Sequence, residues 1–289
     1  MAGNALAKRA FIGLQHVLPQ HVLSRLFGRL ARSRVAFVRS TLIRAFLRFY
    51  PVDLSEAAHR LPTDYASFND FFTRRLRTGA RRIDPEPRAA ICPVDGFVSQ
   101  AGSIASDMLL QAKGMEYSAA ALLGGDEALA AEFAGGAFAT LYLAPHNYHR
   151  IHMPLAGTLR IARFIPGELF GVNAATVASV PGLFTRNERV ACVFDTTMGP
   201  MAVVLVGALF VGSLSLAWAG EIRDAPGRRA PLELRAHNPV IALDRGAELG
   251  WFNMGSTVIV MFSGKGPALI GGLRPGSVMR VGERLAVLQ

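Results

Sequence analysis

The stretch TTMGPMAVVLVGALFVGSLSLAWAG, Thr196 to Gly220, decides what kind of fold this chain can adopt. It carries no charge and is long enough to cross a bilayer as a helix. Yet Gly199-Pro200 falls where a turn belongs, and Gly207, Gly212 and Gly220 punctuate the rest. Val203, Val204, Val206 and Val211 are β-branched, which suits a pleated surface. We read the stretch as two buried strands.

Working outward, the chain from about Pro62 continues in the same style. Short apolar runs such as FATLYLAP, ERVACVFD and TVIVMF alternate with Gly, Pro and Asn turns, while helical spacing is confined to brief pieces such as Ser118 to Leu123. RRIDPEPRAA, Arg81 to Ala90, reads as an extended connection, because its prolines restrict the residues before them. With 289 residues, 51% hydrophobic and 18% charged, the chain can bury a large core and is not a disordered segment. Cys92 and Cys192 stand alone, which fits neither a disulfide framework nor a metal cluster and points to a reducing compartment.

The N-terminal part differs. Of the net charge of +10, Lys8, Arg9, Arg25, Arg29, Arg32, Arg34, Arg39, Arg44 and Arg48 all fall before Asp53, with no acidic residue among them. Val22, Leu26 and Leu30 recur every four residues, and Val35, Val38, Leu42, Phe46 and Phe49 every three or four. This predicts two or three basic amphipathic helices, broken near Pro19 and ended by Pro51. Such helices suit an anionic membrane surface or a helical cap with a solvated arginine face. Nucleic acid is the weaker partner, since no recognised binding motif accompanies the charge. Gln15 and His16 interrupt the apolar run after Arg9 and no small-residue cleavage site follows, so a cytoplasmic protein is expected. The expected fold is therefore α+β: basic amphipathic helices in residues 1–61 and a β-rich, sandwich or barrel-like core in residues 62–289.

Three places in the core could carry chemistry. In CPVDGFVSQ, Asp95 precedes Gly96 between two short strands, where a carboxylate can be held at a sheet edge or Asp-Gly can simply make a hairpin turn. In APHNYHRIHMP, His146, His149 and His152 are spaced by three, which suggests acid-base work or a hydrogen-bonded structural cluster. A zinc site would need further ligands that the isolated cysteines do not offer, so no metal is expected. In FNMGSTVIVMF, Phe252 to Phe262, a strand begins with Gly255-Ser256-Thr257. A serine with Asp and His elsewhere could form a triad, but the Gly-x-Ser-x-Gly elbow of the ordinary hydrolases is absent.

Taken together and in order, PVDGFVSQ, LQAKGMEYS, YHRIHMPLAG, PGELFGVN, LFTRNERV and MGSTVIVMF resemble the phosphatidylserine decarboxylases of the bacterial membrane-associated type. The resemblance runs from the basic helices to about Gly266. It implies a self-processing enzyme whose covalent pyruvoyl cofactor derives from Ser256. The bond between Gly255 and Ser256 would be cut, leaving a β chain of residues 1–255 and an α chain of residues 256–289 that form a heterodimer, with further dimerisation left open. His152 would take the Ser256 proton, oriented by Asp95. His149 would assist loss of carbon dioxide, or reprotonation, after the lipid amine forms a Schiff base with the pyruvoyl ketone. Lys265 could meet the lipid phosphate or carboxylate, although a surface lysine explains it equally. The implied product is phosphatidylethanolamine, and the implied location is peripheral, on the cytoplasmic side of the cell membrane. Met254 stands where the family commonly has Leu, a swap of similar volume. Two rival readings share these residues: an uncut Asp/His/Ser lipid hydrolase and a non-catalytic membrane-binding β module.

Overall fold

The computed structural model describes residues 12–210, 213–222, 228–234, 240–253 and 257–288. Its centre is an antiparallel sheet whose long strands run in the spatial order Gly157–Ile165, Arg189–Thr196, Gly199–Val206, Thr257–Phe262, Ala137–Tyr142 and Gly96–Ser103. A four-stranded sheet of Gly220–Ile222, Leu214–Leu216, Glu248–Phe252 and Arg150–His152 lies in front of it. The two share one core: Val258, Val260 and Phe262 pack on the same side as Val203, Leu205, Ile151, Leu249 and Phe252. Ile259, Met261, Val204 and Val206 point the other way, into a second core closed by Phe133, Phe170 and Phe184.

Both faces of the large sheet are therefore covered, which is why its strands read as unbroken apolar runs rather than alternating ones. The α+β expectation holds, and the sheets do not close into a barrel among the described residues. The uncharged stretch is strand, not helix: it contributes Gly199–Val206 and Leu214–Leu216. Gly199 turns the chain out of the preceding strand at φ 93°, a conformation open to glycine at little cost. No described helix is long and apolar enough to cross a membrane.

Two helices, Gln20–Ala31 and Ala36–Phe49, form the basic region. The second turns Ile43, Phe46 and Leu47 onto Tyr65, Phe68, Phe71 and Phe72 in a small aromatic core. The first is mounted the other way round. Its buried positions are Gln20, Ser24, Gly28 and Ala31. Gln20 Oε1 accepts from Leu169 N at 2.6 Å and Ser24 Oγ from Phe210 N at 3.0 Å. Its apolar stripe, Val22, Leu26 and Leu30, is 47%, 54% and 45% exposed, so the stripe faces away from the protein.

Candidate functional site

The strands on either side of the Gly-Ser segment belong to different sheets. Glu248–Phe252 belongs to the smaller sheet and Thr257–Phe262 to the middle of the larger, so the chain passes from one to the other within residues 253–257. Met254, Gly255 and Ser256 lie outside the described residues, and both flanks are held firmly. Asn253 is buried; its Nδ2 donates to Ser213 Oγ at 2.8 Å and Ser215 Oγ at 3.2 Å, and its Oδ1 accepts from Asn69 Nδ2 at 3.2 Å. Thr257 is paired with Tyr142 on one side and Val206 on the other.

The histidines flank the same crossing. Arg150–His152 pairs with Glu248–Phe252, and Phe252 N donates to His149 O at 3.0 Å, which places His149 opposite the residue that leads into the crossing. His149 is fully buried, its ring 4.0 Å from that of Phe72. Its Nδ1 lies 2.8 Å from Asn147 O. A carbonyl only accepts, so Nδ1 carries the proton and Nε2 presents a lone pair. That Nε2 has no hydrogen-bond partner. Burial, and then the neighbouring Arg74 cation, push the imidazole pKa down to about 3, so it is neutral at physiological pH.

His152 is built alike. Its Nδ1 donates to Gly246 O at 2.8 Å, and its Nε2 accepts from Tyr148 Oη at 3.0 Å. Burial holds this imidazole below the usual range despite the Gly246 carbonyl and the nearby Glu248 and Asp95 carboxylates. Burial also raises the Tyr148 phenol, which keeps its proton to donate. At neutral pH the two neutral imidazoles thus offer bases of different kinds: the His149 Nε2 lone pair is open, and that of His152 is shared with the Tyr148 phenol.

Asp95 is buried nearby but engaged elsewhere. Its carboxylate accepts from Arg81 Nε at 3.0 and 3.2 Å, from Arg81 Nη2, and from Val281 N at 2.9 Å. The direct Asp95–His152 pairing that the resemblance implies is not made in this structure, because the charged guanidinium is the stronger partner. Burial alone would lower the Arg81 pKa; the hydrogen bonds from Asp95 and Glu56 outweigh it and raise it. The two site residues are linked through backbone instead, His152 N donating to Pro93 O at 2.9 Å. Nor is Asp95-Gly96 a hairpin turn: Ala89–Ile91 pairs with Arg284–Val287, and Gly96–Ser103 with Ala137–Tyr142. Gly96 is required because a Cβ there would overlap the Tyr142 carbonyl oxygen.

Lys265 is not brought into the site. It is exposed beyond Phe262, and the strand between it and Ser256 spans about 17 Å. Tyr148, Arg74, Arg81 and Asn253 belong to the site's surroundings and escaped the sequence reading. Tyr148 and Asn253 sit inside the quoted motifs and could have been found there; Arg74 and Arg81, in FFTRRLRTGARR, carry no motif that would have marked them. Among the described residues no group of three or more His, Cys, Asp or Glu is placed to hold a metal.

A buried and a half-buried neutral imidazole beside the strand that leads to the Gly-Ser segment define an α+β protein with an internal histidine site. The chain belongs to the phosphatidylserine decarboxylase family, whose family model, described as phosphatidylserine decarboxylase, matches residues 68–287; a second, described as PSD, matches residues 10–51. A protein of Azotobacter vinelandii named phosphatidylserine decarboxylase proenzyme is 50% identical over 279 residues, covering 96% of this chain and 97% of that one. Proteins with the same name from Bordetella pertussis and Pseudomonas entomophila are 51% and 50% identical, covering 96% and 98% of this chain and 94% and 99% of their own lengths.

Proposed function

We propose that this chain is a proenzyme that cuts itself between Gly255 and Ser256 and then decarboxylates phosphatidylserine to phosphatidylethanolamine. The observation that carries the reading is the pair of neutral imidazoles, His149 fully buried and His152 half-buried, on and just before the strand Arg150–His152 that is hydrogen-bonded to the residues leading towards that bond.

In the cut, Ser256 Oγ attacks the Gly255 carbonyl carbon and the amide becomes an ester, the freed amine taking up a proton. His152 Nε2 accepts the serine proton; because Tyr148 Oη sits on that nitrogen, the proton arrives in exchange for, or by way of, the phenol. Asp95 acts at one remove, its Arg81 pair fixing the loop whose Pro93 carbonyl holds the His152 backbone. Removal of the Ser256 α-proton then expels the Gly255 carboxylate, and addition of water with loss of ammonia leaves the pyruvoyl group at the head of residues 256–289. Those residues stay bound, because Thr257–Phe262 is hydrogen-bonded to strands on both sides, and the two chains remain a heterodimer.

The surroundings fit a small carbonyl group at this position, since the Thr257 hydroxyl is buried without a hydrogen-bond partner and can donate to it, while the His149 Nε2 lone pair is open to a proton. Once formed, that group supplies a ketone that takes up the lipid amine and draws off the electron pair released with carbon dioxide. His149 Nε2 holds no proton of its own at neutral pH, so its part is to take one up and return it at the reacting carbon.

Residues 1–61 serve as the membrane-facing region and residues 62–289 as the core. The outward stripe Val22, Leu26 and Leu30 is continued by Val35 and Phe37, 62% and 76% exposed, and arginines flank it. Apolar side chains entering the interface, with basic ones worth about 1 kcal/mol each against anionic lipid, attach the protein peripherally to the cytoplasmic leaflet.

Denaturing electrophoresis with intact-mass measurement tests the reading. Active protein should run as two fragments dividing after Gly255, the smaller with a blocked N-terminus; a single uncut 31.0 kDa species with full activity refutes it. His152→Ala should accumulate precursor, whereas His149→Ala should cut yet fail to decarboxylate.

A further inference from the structure

Arg74 sits beside His149 with donors that nothing takes up. It is 5% exposed, and only Nη2 is used, donating to His146 O at 2.9 Å and Asn147 O at 3.2 Å. Nε and Nη1 are buried without partners. The Asn147 oxygen is the one that also receives His149 Nδ1, at 2.8 Å, so the guanidinium and the imidazole hang from one atom. Phe71 lies 5.8 Å from the guanidinium and Phe72 against the imidazole, which makes the surroundings apolar. The Asp95 carboxylate is already occupied by Arg81. A buried cation without a counter-charge is costly, and holding two carbonyls requires only one of its nitrogens. The open donors point to an anion that the chain itself does not supply.

We propose that Arg74 binds the phosphodiester of the lipid headgroup, Nε and Nη1 donating to its oxygens while the reacting carbon lies at His149. This rests on the decarboxylase reading above. The headgroup carboxylate is the poorer occupant. Its charge disappears as carbon dioxide leaves, so a cation bound to it would favour the ground state over the transition state. The phosphodiester keeps its charge throughout. In the uncut chain the two nitrogens are closed to solvent.

The test uses full-length Arg74→Gln and Arg74→Lys, with maturation followed by intact mass. Binding of short-chain phosphatidylethanolamine, which keeps the phosphodiester and lacks the carboxylate, is measured by calorimetry beside kcat/KM for phosphatidylserine. Arg74→Gln should mature, bind phosphatidylethanolamine at least about 30-fold more weakly, and lose a similar factor in kcat/KM. Capture of free ethanolamine by borohydride, which involves no phosphate, should not change. Unaltered phosphatidylethanolamine binding overturns the proposal, and if phosphatidylserine alone binds more weakly the cation reads the carboxylate instead. Failure of both variants to mature assigns Arg74 to the fold and also overturns it. A wild-type protein that matures and binds phosphatidylethanolamine through Arg74 but releases no carbon dioxide sinks the decarboxylase reading and leaves the phosphate site standing.

Discussion

Mild acid should destabilise this protein through His149, and the size of the effect follows from its burial. The imidazole is neutral in the folded chain, with its pKa pushed down to about 3, and in the unfolded chain it titrates near the ordinary value of about 6.5. Between those two values the unfolded state binds the extra proton, so stability rises with pH and is lost as pH falls below about 6.5. The slope is about 1.4 kcal/mol per pH unit, which makes the His149 contribution about 2 kcal/mol between pH 7.5 and pH 5. The assay is urea unfolding of the Ser256→Ala chain, which on the proposed reading stays uncut, with and without His149→Gln. Glutamine can still donate to the Asn147 carbonyl but does not titrate. Subtracting one pH profile from the other removes His146 and His152, whose pKa values burial also lowers. The difference should open progressively below about pH 6.5. Parallel profiles down to pH 5 would mean that His149 is not held neutral by burial, and the argument for a free Nε2 base would fall with it.

Asp95→Asn should lower stability by roughly 3–5 kcal/mol, because it leaves the Arg81 guanidinium largely buried without its main counter-charge. Arg81→Gln should slow maturation to a similar degree; normal cutting in Arg81→Gln with none in Asp95→Asn would instead show that Asp95 acts on the reacting groups directly. Asn253→Ala removes the clamp on the incoming side of the bond, at about 1–3 kcal/mol for the polar groups left unpaired, and pulse-chase electrophoresis should show slower conversion of precursor. Val22→Ser combined with Leu26→Ser and Leu30→Ser should weaken flotation with anionic liposomes while leaving the melting temperature within about 2 °C of wild type, since these side chains are about half exposed and belong to none of the buried clusters. A fall in melting temperature with unchanged flotation would place the stripe against protein rather than lipid.

The strands were legible because both faces of the large sheet are covered, so Met201 to Val206 and Thr257 to Phe262 are apolar at every position but one. The stretch from Thr196 to Gly220 was separable from a membrane helix because glycine marks its turn at Gly199. Which way the first helix faces was not legible. Periodicity locates an apolar stripe but does not say whether protein or something else covers it, and here Gln20 and Ser24 do the docking by bonding to backbone N–H groups. The orienting partner of His152 was hidden for a similar reason: it is the carbonyl of Gly246, a group every residue possesses and no motif records. Asp95 was found by its motif, but the choice of Arg81 over an imidazole depends on burial, which makes the guanidinium's alternatives scarce.

The helical region and the crossing strand are joined more closely than a two-part division of the chain suggests. Arg32, at the end of the outward-facing helix, donates to Ser213 Oγ at 3.0 Å, and that oxygen also receives Asn253 Nδ2 at 2.8 Å. Asn69, on the short helix that completes the aromatic core of the helical layer, reaches the other end of the same Asn253 amide. The residue immediately before Met254 is therefore held from both sides by the layer that presents Val22, Leu26 and Leu30 outward. A force that shifts the first helix reaches the Asn253 clamp through the Ser213 hydroxyl as well as through the aromatic core, where Phe27 packs on Phe68 beside Asn69. On the reading proposed for residues 1–61, seating on a lipid surface and positioning of the bond to be cut are then coupled by a short polar chain. Arg32→Ala should accordingly slow maturation even in detergent, where no bilayer is present; a defect confined to liposome binding would break the coupling at Ser213.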